Sequence, residues 1–144
     1  MRAVILSVAV FVSMSFAGSL PAWASSGQEC SNASLQGTYG FQRQGFNPTL
    51  GHVGGNGVAT FDGNGNWSGV QTNVSETTGI TRAAFTDATY QVNPDCTGST
   101  ADVSGTTTFD LVIVNGGNEV FAIATNADPP GAQRVVTVVL KKLD

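Results

Sequence analysis

Few side chains in this sequence are of types that carry chemistry, and their spacing narrows what that chemistry can be. His52 is the only histidine, which excludes a two-histidine metal site and leaves a zinc ion only Cys30 and Cys96 as thiolate ligands. A nucleophilic relay needs a serine or cysteine beside a histidine that is itself oriented by an acid. His52 follows Gly51 in a stretch that reads as an exposed loop, and no relay can be built around it. The run Asp62, Asn64, Asn66, Ser68 places oxygen-bearing side chains at every second position, as calcium loops do. The EF-hand form fails, because its sixth and twelfth positions need Gly and Glu and hold Trp67 and Asn73 here. The same residues make a tight turn without any ion, since Asn and Gly accept positive φ. Glu76, Asp87, Asp95, Asp102 and Glu119 mostly fall in or beside turn residues and read as solvated charges. Asp110, between Phe109 and Leu111, belongs to the face opposite both. No catalytic residue, metal ligand or cofactor is assigned.

The elements that would position any site are strands. No helical periodicity follows residue 25, whereas short β-branched and aromatic runs recur about every ten residues between turn signals. Strands are expected near 35–43, 53–61, 67–75, 79–85, 88–93, 99–103, 107–114, 119–125 and 134–141, two of which can be one bent strand. Asp62-Gly63-Asn64-Gly65 and Asn115-Gly116-Gly117-Asn118 read as hairpin turns. The connections are too short for helical crossovers, so the expected fold is all-β: an antiparallel up-and-down meander closing into a barrel of eight or nine strands.

Alternation assigns faces. Leu35, Tyr39 and Phe41 form one side of the first strand, Phe109, Leu111 and Ile113 one side of a later strand, and Phe121 and Ile123 one side of the next; these are the expected core. The last strand is apolar on both sides from Val135 to Leu140 and is expected to be covered, with Lys141 and Lys142 marking its exit to water. Arg43 shares the face of Tyr39 and Phe41. An inward Arg43 near an open end would take a ligand carboxylate; otherwise it reaches water or pairs with an acid. Trp67, just past the first hairpin turn, offers a stacking face at a rim or caps the barrel end. Tyr39, Phe41, Arg43 and Trp67 are therefore the candidate ligand-binding residues.

Met1-Arg2, an apolar run to Phe16 and Ala22-Trp23-Ala24 have the layout of a signal peptide cut after Ala24. Residues 25–144 then form a single domain, secreted or periplasmic, with no membrane span. Cys30 and Cys96 would meet an oxidising compartment and pair. The net charge of the chain is −4, and Arg2 is lost with the signal peptide, which argues against nucleic acid and anionic membrane surfaces as partners.

Phe61-Asp62-Gly63-Asn64-Gly65-Asn66-Trp67-Ser68-Gly69, Tyr90 through Asp95-Cys96-Thr97-Gly98, and Cys30 followed by Leu35-Gln36-Gly37-Thr38-Tyr39 resemble a group of small, exported, largely uncharacterised bacterial proteins. The resemblance supports export and the Cys30–Cys96 pairing and implies no activity. Gly37-Thr38-Tyr39 together with Arg134 is more loosely similar to calycin (lipocalin-like) barrels, in which a Gly-x-Trp element opens the first strand and packs against a basic residue near the last; Tyr39 replaces the Trp.

Three functional expectations follow. The first is a binding protein for a small apolar molecule. The second is a cyclase or isomerase of calycin-like shape, signalled by Tyr39 and Arg43 converging in a cavity. The third is a structural envelope or matrix protein with a packed core. An outer-membrane barrel is disfavoured by the short, Gly- and Thr-rich strands without aromatic girdles.

Overall fold

Turn residues determine where each strand stops. Asp62 opens the first predicted hairpin turn by accepting hydrogen bonds from the backbone amides of Asn64 (2.7 Å) and Asn66 (3.0 Å), and Asn115 and Gly116 adopt the left-handed backbone of the second. The computed structural model describes residues 29–102, 107–126 and 134–144; the expected signal peptide and the 128–131 loop lie outside them. Among the described residues are eight strands: β1 (Gln36–Asn47), β2 (Gly51–Asp62), β3 (Asn66–Ser75), β4 (Gly79–Val92), β5 (Thr97–Ala101), β6 (Thr108–Val114), β7 (Glu119–Ala124) and β8 (Val135–Lys142). Each strand is antiparallel to the next and β8 pairs with β1, giving a closed eight-stranded meander barrel. No helix among the described residues is long and apolar enough to cross a membrane.

The stretches expected as strands at 79–85 and 88–93 are one bent strand, β4. Between Trp67 and Gly69 the β3–β4 register shifts, so that Trp67 faces Ala88 while Gly69 faces Phe85. Asp87 takes a positive φ of 57° at this bulge. An extra residue bends the strand without ending it, so the two runs are continuous.

One end of the barrel is plugged. Cys30 and Cys96 form a disulfide with a Cα–Cα distance of 4.9 Å, tying the segment before β1 to the β4–β5 turn. Leu35 is fully buried behind it. The Tyr90 hydroxyl donates to the Leu35 carbonyl (2.8 Å), and Asn32 Oδ1 accepts from the Val92 amide (2.8 Å). The Tyr39 hydroxyl donates to the Gly117 carbonyl at 2.6 Å. The main core fills this end with Leu35, Tyr39, Phe61, Tyr90, Ile113 and Val120 among its members. A smaller cluster of Phe109, Ala124 and Val136 lies toward the other end.

Two face assignments are corrected. Phe121 and Ile123 are not core: they are 46% and 48% exposed. The turn after β6 sets Val120 opposite Ile113 and Ala122 opposite Leu111, and cross-strand partners share a face. The inward residues of β7 are thus Val120, Ala122 and Ala124, smaller than the outward pair. β8 is also not covered on both sides. Val136 and Leu140 are buried inward, while Val135 is exposed, because the outer face of a closed barrel meets solvent unless another element covers it.

Candidate functional site

The inward faces enclose a cavity of about 440 Å³, within the range of small-molecule sites. Its walls come from every strand and are mainly apolar: Phe41 on β1, Phe61 on β2, Phe85 on β4, Leu111 on β6, and Val138 and Leu140 on β8 are on the lining. The small inward side chains Ala88 and Ala122 leave the space that bulkier residues would close. The plug described above seals the floor, so the polar part of the lining, with Arg43, Asp102 and Thr107, lies toward the other end.

Trp67 forms part of the wall rather than a rim or a cap. Its ring stacks on Phe61 with centroids 5.4 Å apart and planes 5° from parallel, and it meets Phe85 edge-on at 4.8 Å. Its Nε1–H donates to the Thr89 carbonyl at 3.2 Å. That bond fixes the indole against β4 and leaves the aromatic cluster as a rigid side of the cavity.

Arg43, Gly55 and Asn73 lie in one cross-strand row over β1, β2 and β3. A Cβ on Gly55 would sit 2.7 Å from Asn73 Oδ1 and 3.3 Å from Arg43 Nε, so the missing side chain lets both polar groups turn inward over it. Arg43 Nε and Asn73 Oδ1 are buried and have no hydrogen-bond partner. Burial, and secondarily the charge of Arg134, lowers the Arg43 pKa. The Arg134 guanidinium carbon lies 5.8 Å from the Phe109 ring centroid, and Phe109 also lines the cavity.

Of the four candidate binding residues, Phe41, Arg43 and Trp67 line the cavity and Tyr39 does not. Tyr39 is committed to the plug. Burial, with a smaller contribution from Tyr90, raises its pKa, which keeps the hydroxyl protonated as the donor to Gly117. Tyr39 and Arg43 therefore do not form a convergent polar pair in the cavity. Nor do Tyr39 and Arg134 meet, since Tyr39 pairs with Lys142 at the end of β8 and Arg134 precedes its start. No protein-family model, curated protein or solved structure matches this chain.

Sequence reasoning missed Gln71, Phe85 and Thr100 on the lining, and read Asp102, which also lies there, as a solvated charge. Gln71 and Asn73 were within reach, because they continue the alternation that begins at Trp67. Phe85 was hidden by the bulge, which changes the phase of β4.

The remaining chemically suggestive residues lie elsewhere. Asp62 Oδ1 binds the turn amides, and Oδ2 accepts from the Asn66 side chain at 2.8 Å. The side-chain and backbone hydrogen bonds from Asn66, followed by the Asn64 amide, lower its pKa to about 2. Its oxygens serve the turn itself. Asp110 is exposed on the outer face. His52 is the second residue of β2 rather than lying in a loop; it is exposed, with Nδ1 2.7 Å from Glu76 Oε1, and this hydrogen bond lowers the Glu76 pKa. Among the described residues no three His, Cys, Asp or Glu side chains gather as a metal site.

Proposed function

We propose that this protein binds a small, mainly apolar molecule in the interior of its barrel, in an oxidising compartment outside the cytoplasm. The observation that carries the reading is the cavity of about 440 Å³, walled by aromatic and aliphatic side chains and sealed at one end. A protein acting only as a packed structural unit has no need of small residues such as Ala88 and Ala122 at the middle of its walls, because close packing favours filling such space. The Cys30–Cys96 disulfide supports export.

Binding is favoured over cyclase or isomerase chemistry by the position of Tyr39, whose hydroxyl is used at the plug. An outer-membrane barrel needs an apolar belt around its whole outer surface. The exposed positions Gln36, Gln42 and Gln44 of β1 and Asn56 and Thr60 of β2 present polar groups there instead.

Native mass spectrometry of the protein purified from its own host tests the reading. A defined extra mass that leaves on denaturation is the expected result. A bare mass that persists after incubation with a lipid and metabolite extract would count against it.

A further inference from the structure

Resting on the reading of the cavity as a binding site, we infer that its ligand is a carboxylate-bearing amphiphile, with the carboxylate held by Arg43 and the apolar part extending toward the plug. The cavity has two unlike regions. Toward the plug its lining is carbon, from Phe61, Trp67, Leu111, Val120 and Leu140. Above these, Arg43 brings a positive charge to the lining with its Nε buried and unpartnered.

An unused buried donor on a charged group is costly, because water is removed from it and nothing replaces that water. The described residues provide Arg43 with no ion pair: the two pairs among them are His52–Glu76 and Lys141–Glu119. Asp102 also lies on the lining and has interactions of its own. The charge nearest in effect is that of Arg134, which opposes Arg43. The unpartnered Arg43 guanidinium beside an apolar chamber favours an anionic guest. The planar guanidinium suits a carboxylate in particular, accepting it through one or two N–H bonds. Asn73 Oδ1, the other unpartnered atom in the row, can accept from a water that bridges to the bound carboxylate.

Decanoate and decanol share an apolar chain and differ in head group, so calorimetric titration of the protein with each separates the head from the tail. Decanoate is expected to bind at least about tenfold more tightly, the effect of a hydrogen bond to a charged group in a sheltered site. Arg43→Gln is expected to bring the ratio of the two affinities close to one, and Arg43→Lys to recover part of it. A measurement on the unaltered protein guards against a variant that fails to fold. The Arg43 Nε–H signal in a nitrogen-15 spectrum should move on adding decanoate and stay in place on adding decanol. Equal affinities for the two molecules, or an Nε–H signal indifferent to decanoate, would overturn the carboxylate assignment while leaving the cavity reading intact. Failure of both molecules to bind would overturn the cavity reading and this inference with it.

Discussion

Replacing Tyr39 by alanine is expected to lower the unfolding free energy by about 3–5 kcal/mol, the range for removing a fully buried aromatic side chain. For a domain of this size, that is a fall in melting temperature of roughly 12–20 °C. The residue combines two roles at the plugged end. Its ring is completely buried and meets Phe61 edge-on, with centroids 5.3 Å apart. Its hydroxyl reaches the carbonyl of buried Gly117 at 2.6 Å. Gly117 cannot move aside to compensate. It holds a φ of +91°, and a Cβ there would lie 2.3 Å from the Ser34 carbonyl oxygen, so the β6–β7 turn is already pressed against the plug. Tyr39→Phe separates the roles: it keeps the ring, strands the Gly117 carbonyl and should cost about 1–3 kcal/mol. Thermal unfolding of the two variants checks both values. If Tyr39→Phe were as damaging as Tyr39→Ala, the ring would contribute little and this account of the plug would be wrong.

Breaking the disulfide is expected to have a similarly large effect by a different route. Cys30 and Cys96 are 66 residues apart in sequence, and a cross-link over that span lowers the entropy of the unfolded chain enough to stabilise the fold by about 4 kcal/mol in the loop-closure model. The folded state should change little. The strand ladder closes without the bridge, and Asn32, Leu35 and Tyr90 still hold the segment across the barrel end. The double variant Cys30→Ser/Cys96→Ser is therefore expected to fold and to melt about 15 °C lower. Its denaturant dependence should also be steeper, because the unfolded chain is more expanded. A loss below about 1 kcal/mol, with unchanged steepness, would contradict this explanation.

How much of this was legible in the sequence depended on whether local chemistry alone fixes the feature. Asp62-Gly63-Asn64-Gly65 and Asn115-Gly116-Gly117-Asn118 were legible as hairpin turns because their conformations are set within a few residues. A row of such turns with no helical segment implied an antiparallel meander. Phe121 and Ile123 were misplaced for the opposite reason. The β6–β7 register decides which face they share, and the larger residues of β7 face outward while Ala122 and Ala124 face in. Small inward residues are what a cavity requires, so hydrophobicity misleads most where the barrel is hollow. Bulge geometry hid Phe85 in the same way, since the extra residue in β4 reverses the alternation on either side of Asp87.

The site was legible in part. Alternation along β1 set Arg43 on the inward face with Phe41, because that strand runs without a bulge. The role of Tyr39 was not legible, because its hydroxyl meets a carbonyl 78 residues away in sequence, and only closure of the barrel brings the two together. Gly55 gave no signal either. Its importance lies in the side chain it lacks, between Arg43 and Asn73.

The central claim is that the barrel interior admits a small apolar molecule, and methyl-resolved NMR of the protein titrated with decanol tests it most directly. The account predicts shifts of the inward methyl groups of Leu111, Val120, Val138 and Leu140, with those of outward Val70 and Val112 unmoved. Shifts confined to the outward methyl groups, or none at all at saturating decanol, would contradict it.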